Sequence, residues 1–162
     1  MTGHAAFSSP SMHADSPPCL AHTRARSMGT SSWARFLDDP QSIYTLYDEE
    51  PDLDRSDLFH MLVDERGDSI TLGFRTGQAP ARIRPEWEGT PYNSFTFYLA
   101  FSGVQELAIQ GWAAPACKRV SIRRDADERL AVAIASEGTS VGFRAHTVSL
   151  TAARVGLVSR SE

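Results

Sequence analysis

Apolar and polar side chains alternate most regularly in the stretch YNSFTFYLAFSGVQELAIQGW, from Tyr92 to Trp112. Phe95, Phe97, Leu99 and Phe101 alternate with Ser94, Thr96, Tyr98 and Ala100, the two-residue period of a strand with one face in a core and the other partly wet. Ser102-Gly103 is a tight-turn signal, after which Val104, Leu107 and Ile109 form a second apolar run that stops at Gly111-Trp112. The pattern predicts a β-hairpin with Phe97, Leu99 and Ile109 in the core. A hairpin alone is not stable in water, so the remaining apolar runs have to cover this face.

Those runs are short and closely spaced. Leu58 to Asp64 is mostly apolar and predicts a buried strand; Gly67 turns it, and Ile70, Leu72 and Phe74 return in alternation with polar or small residues. Residues 77–91, with Pro80, Pro85, Gly89 and Pro91, show no apolar period and predict a long loop. Further on, Val120 and Ile122 pair as a hairpin with Leu130, Val132 and Ile134, and Glu137-Gly138-Thr139 turns the chain into Val141, Phe143 and Ala145. Val148 and Leu150 continue as a strand or a frayed end, with a helical turn over Thr151 to Arg154 also compatible. Upstream, Ser32 suits an N-cap, Trp33, Phe36 and Leu37 follow at helical spacing, and Asp39-Pro40 restarts a second turn carrying Ile43, Leu46 and Tyr47. The fold class is therefore mainly β (α+β): an antiparallel meander of about seven or eight strands in a curved sheet or open barrel, with one or two short N-terminal helices packed on it.

Composition alters this picture only at the ends. The chain has 162 residues, 41% hydrophobic and 22% charged, the profile of one ordinary globular domain. Residues 1–31 are rich in Ser, Pro, His and Ala without sustained period, which predicts a disordered tail before a single β-rich domain at 32–158. Met28 directly precedes the first periodic segment and is a candidate start for the native protein. No window reaches the roughly 18–20 consecutive apolar residues that span a bilayer, and no secretory-type segment opens the chain, so the expected compartment is the cytoplasm. Cys19 and Cys117 read as free thiols. His4, His13, Cys19 and His22 match no ligand spacing, and neither a metal nor a cofactor is expected.

Charge singles out one stretch. The formal net charge is -4, and Asp48, Glu49, Glu50, Asp52, Asp54 and Asp57 form a dense acidic run before the first strand. Such a run is either a solvated loop or a patch for a basic partner; it lacks the turn glycine and terminal glutamate of a calcium loop. The same acidity argues against nucleic acid as a partner, since phosphate binding needs clustered Lys and Arg. Lys118, Arg119, Arg123 and Arg124 do cluster, but Asp125, Asp127 and Glu128 adjoin them, a mixed solvated surface. Trp87, inside the long loop, either plugs the open end of the sheet or anchors a binding surface, and burial of so large a ring favours the plug. His60 and Asp64 fall on one face of a strand and are the minimum for acid-base chemistry, yet no nucleophile elbow, phosphate loop or zinc motif accompanies them. No catalytic residue is assigned.

The order W-x-x-F-L-x-D-P (Trp33, Phe36, Leu37, Asp39, Pro40), I-x-x-L-Y (Ile43, Leu46, Tyr47), P-x-L (Pro51, Leu53), D-x-x-G (Asp64, Gly67), a loop Trp87 and G-W (Gly111, Trp112) resembles the immunity protein 50 family over about residues 32–150. The resemblance departs at residues 76–92 and in the long tail. It implies a small α+β or mainly β domain, non-enzymatic and without cofactor, which binds and neutralises the cognate toxin domain of a bacterial polymorphic toxin system. Combined with the charge pattern, it makes Asp48, Glu49, Glu50, Asp52, Asp54, Asp57 and Trp87 the candidate toxin-binding residues, facing a basic surface. A small-ligand-binding barrel is the alternative that the strand pattern also accommodates; an enzyme built on His60 is the remaining one.

Overall fold

A computed structural model of the chain describes residues 32–111 and 118–159. The proposed tail at 1–31, Met28, both cysteines and Trp112 lie outside the described residues. A 3-10 turn at Trp33–Phe36 and a single α-turn, α1, at Gln41–Tyr44 flank the Asp38-Asp39 step, where the sequence predicts a break. Asp39 sets the second turn: its side chain accepts from Gln41 N at 3.1 Å and its carbonyl from Ser42 N at 3.1 Å. Ser32 holds the N-cap position without a capping bond; its hydroxyl lies 3.1 Å from Tyr44 Oη instead.

Among the described residues eight strands follow: β1 (Asp57–Asp64), β2 (Ser69–Thr76), β3 (Ser94–Ser102), β4 (Gln105–Gln110), β5 (Arg119–Arg124), β6 (Leu130–Ser136), β7 (Thr139–Ala145) and β8 (Thr147–Gly156). They make two four-stranded antiparallel sheets, ordered β1-β2-β3-β8 and β4-β7-β6-β5. The fold is thus mainly β and antiparallel, as the alternation predicts. The hairpins β1–β2, β5–β6 and β6–β7 also form. The Thr151 to Arg154 segment is strand, not helix, because Ala152, Ala153 and Arg154 pair with β3, with a register shift that leaves Thr151 as a bulge.

The Tyr92 to Trp112 hairpin does not form. β3 and β4 never pair; they are two halves of one bent run that leaves the first sheet and enters the second. β8 and β7 make the matching bend alongside, since Ser102 pairs with Thr147 on one side of the corner and Gln105 with Arg144 on the other. Gly103 makes the corner possible with a φ of 69°, and a Cβ there would collide with the His146 ring. His146 N donates to Ser102 O at 2.8 Å and Val104 N to Asp68 O at 3.0 Å, so backbone groups freed by the bend find partners.

The inner faces hold the core. Ile70, Leu72, Phe74, Phe95, Phe97, Leu99 and Phe101 are buried on the first sheet, and Ile122, Leu130, Val132, Ile134, Val141 and Phe143 on the second. Phe101 meets Phe143 edge-on at 5.2 Å across the two. The N-terminal turns close this face: Trp33 stacks on Phe97 at 5.6 Å while its indole N–H donates to Pro51 O at 2.7 Å, and Tyr47 lies edge-on to Phe95. Burial, with the nearby Tyr92 charge, raises the Tyr47 phenol well above its ordinary range, and its hydroxyl donates to Gln78 O at 2.6 Å. Two expectations need correcting. Ile109 is 43% exposed, because β4 is the edge of its sheet. β1 is not a buried strand either: Phe59, Leu62 and Val63 are exposed along the edge of the first sheet.

The sheets are not closed into a barrel by backbone pairing. Where β5 approaches the start of β1, side chains bridge the gap: Asp54 Oδ1 accepts from Val120 N at 2.9 Å, and Lys118 Nζ donates to Leu58 O at 3.3 Å.

Candidate functional site

The acidic residues share one loop, but the fold uses them differently. Asp48 is exposed and pairs with Arg82 at 2.7 Å; the same guanidinium donates to the carbonyls of Tyr44 and Thr45, tying the long loop to the end of α1. Glu50 accepts from Tyr44 Oη at 3.2 Å. Asp52 caps the 3-10 turn Leu53–Arg55 by accepting from Asp54 N at 2.9 Å. Asp54 forms the bridge to β5 described above. Asp48, Glu49 and Asp54 are exposed, while Glu50, Asp52 and Asp57 are half-buried. Glu50 and Asp52 therefore hold local structure, while Asp48 and Asp54 tie the loop to distant segments. Asp57 opens β1 opposite Arg75, which puts it beside a different surface.

Trp87 does not join these carboxylates at the surface. It is 8% exposed, packs edge-on to Phe95 at 6.1 Å and carries the Arg84 guanidinium 5.1 Å from its ring centre. This is the plug geometry, with the 3-10 turn Pro85–Trp87 aiming the indole into the core.

The second surface is the outer face of the first sheet. The register lays out rows across its four strands: Asp57, Arg75, Thr96 and Arg154; then His60, Gly73, Tyr98 and Ala152; then Leu62, Thr71, Ala100 and Ser149. A register shift between Leu58 and His60 brings both Phe59 and His60 onto this face. Gly73 is the floor beneath them, for a Cβ there would lie 2.9 Å from Tyr98, 3.0 Å from His60 and 3.1 Å from Phe59. Tyr98 stands at the centre, edge-on to Phe59 at 6.0 Å and to His60 at 6.1 Å. Arg75 lies 4.8 Å from the Phe59 ring centre; Arg154 lies 5.6 Å from that of Tyr98 and donates to its hydroxyl at 3.3 Å.

This cluster replaces the acid-base pair considered for His60 and Asp64. His60 sits among the aromatics, while Asp64 Oδ1 accepts from Gly67 N at 3.0 Å and shapes the β1–β2 turn. The buried parity does not point to Phe59, Tyr98, Arg75 and Arg154, which lie on four strands and meet only through their register. One signal was available: Tyr98 is the single large ring on the otherwise small and polar parity of β3.

The remaining charged cluster is structural. Arg144 on β7 bonds Asp125 at 2.7 Å and Asp127 at 2.8 Å, pinning the β5–β6 turn to β7. Desolvation pushes the Asp125 carboxyl up, but hydrogen bonds from the Arg129 and Asp127 amides and from Arg144 outweigh it and hold it below its ordinary range. Among the described residues no group of three or more His, Cys, Asp or Glu side chains has the arrangement of a metal site. Fully buried phenylalanines occupy the inner face where a ligand-binding barrel would need space; a shallow depression beside Tyr92 and Phe95, lined also by residues 77–80, lies at its margin. No described helix is long and apolar enough to cross a membrane.

Neither the curated proteins nor the solved structures provide a match to the chain. The family model for Immunity protein 50 matches residues 39–156, from the step before α1 to the last residue of β8. Every strand of both sheets falls within that span, and the chain belongs to the Immunity protein 50 family.

Proposed function

We propose that the protein is a non-enzymatic immunity protein that binds and neutralises the cognate toxin domain of a bacterial polymorphic toxin system in the cytoplasm. The observation that carries this reading is the family match over 39–156, which takes in the whole double sheet rather than one motif. Neutralisation of this kind needs occupancy of the toxin, not chemistry, and calls for no cofactor. The acidic run supplies the long-range part. Toxins that attack nucleic acid need cationic clefts, and fixed carboxylates stand in for phosphates while steering association. Exposed Asp48 and Glu49, with Asp57 at the start of β1, can be changed without removing the Asp52 cap, the Tyr44 bond to Glu50 or the β5 bridge, at the cost of only the exposed Asp48–Arg82 pair.

The test is a surface-binding measurement against the toxin domain encoded next to this chain, at two salt concentrations. In the triple variant Asp48→Asn, Glu49→Gln, Asp57→Asn, association slows and its salt dependence flattens, with dissociation little changed. Wild-type association in the folded variant makes the run a solvated loop. Absence of binding by the wild-type chain, with no protection of cells expressing the toxin, removes the immunity reading itself.

A further inference from the structure

We infer that the outer face of the first sheet, centred on Tyr98 with Phe59, His60, Arg75 and Arg154, is the contact surface that holds the toxin domain, which docks there through a carboxylate-bearing segment. The inference rests on the immunity reading above and locates the short-range contact that the acidic run does not provide.

Composition is the first argument. Tyr and Arg dominate the energetics of protein interfaces, and here two arginines and three rings occupy adjacent rows of a rigid sheet. The surface is also wet: Phe59 is 39% and Leu62 53% exposed, although a folded chain gains nothing from leaving an aromatic cluster uncovered. Charge supplies the second argument. Among the described residues no carboxylate lies within ion-pair distance of Arg75 or Arg154, as holds for most of the described arginines, but these two stand over rings of one exposed cluster. Both unpaired guanidiniums are held by ring faces, so their planes are ordered before a partner arrives, and the planar fork matches a carboxylate.

The occupant follows from these features. An aromatic and cationic sheet is also the chemistry of single-strand stacking, but such binding draws on a field of many basic groups. This chain carries a net charge of -4, and Asp57 and Asp64 flank the patch on β1. A discrete acidic segment of a protein fits two guanidiniums bordered by carboxylates better than a polyanion does. The change of sign along this row, from Asp57 at one end to Arg75 and Arg154, would fix the docking register as well.

The experiment uses the full chain and the toxin domain encoded beside it, inactivated in its own catalytic centre. Tyr98→Ala is expected to accelerate dissociation about 30-fold or more, the effect of losing a central aromatic anchor. Arg75→Glu with Arg154→Glu, a change confined to the surface, is expected to weaken binding at least as much while leaving the thermal melt within a few degrees. This second variant keeps the inference testable should Tyr98→Ala fold poorly. Wild-type dissociation in both folded variants overturns the inference and leaves the immunity reading standing, because the unaltered chain still binds. Two further results also overturn it: a single-stranded RNA oligonucleotide bound by the chain and released by the arginine reversal, or self-association of the chain that this reversal abolishes without any effect on the toxin. If the unaltered chain fails to bind the toxin, the inference falls together with the reading on which it rests.

Discussion

Phe97 and Ile109 belong to one bent run of chain and to the same apolar alternation, yet Phe97 has no exposed surface and Ile109 is 43% exposed. The difference lies in their neighbours. β3 sits between β2 and β8, and Phe97 is further covered by Trp33, Phe74 and Phe95. β4 has β7 on one side only, and every one of its residues is exposed. A two-residue period reports that a strand has two faces; it does not report how many strands flank it. Burial is a property of the position in the sheet, and the Gly103 corner places one half of this run at a centre and the other at an edge.

The largest consequence is expected at Phe97. Replacing it with Ala removes a ring stacked on both Trp33 and Phe74, and a site so enclosed cannot collapse. A loss of about 3–5 kcal/mol in a denaturant melt is expected. A loss near 1 kcal/mol would mean that the N-terminal turns move in to fill the space, and that the covering layer is softer than its packing suggests.

The corner ranks next. Gly103→Ala imposes a left-handed conformation that costs an L-residue about 1–2 kcal/mol, and the new methyl also collides with His146. Combining it with His146→Ala should recover the part due to collision and leave the conformational part, as a double-mutant cycle of melts will show. Full recovery would mean that the turn relaxes to an ordinary conformation, and β3 and β4 would not need glycine to part company.

These residues mark where the sequence was and was not legible. The strands, their antiparallel pairing and the inner face of β3 follow from short-range alternation and turn signals, which one segment carries by itself. Ser102-Gly103 carries the same signal whether the chain reverses into a hairpin or bends between sheets. Only β8 and β7, far later in the chain, decide between the two by offering their own bend for pairing. The acidic run was visible as composition, but the parts that Asp48 and Asp54 take depend on distant partners, Arg82 and Val120. The Tyr98 cluster was missed for a related reason: Phe59, Arg75, Tyr98 and Arg154 come from four strands, and only the register gathers them.

The smallest effect tests the comparison most directly. Ile109→Ala removes an apolar side chain of nearly the same transfer free energy as those on β3, so a sequence-based view predicts a core-sized loss of 2–5 kcal/mol. Here the side chain already meets water on the open edge of its sheet, and its register partner Val141 stays covered by the rest of the second sheet. Removing surface that is already hydrated forfeits little transfer energy and leaves no cavity, which limits the expected loss to about 0.5–1 kcal/mol in the same melt. A loss of 2 kcal/mol or more would show that Ile109 is covered in solution, either by a second molecule or by chain outside the described residues. Concentration dependence of the melting temperature separates these cases, because only association with a second molecule makes it rise with protein concentration.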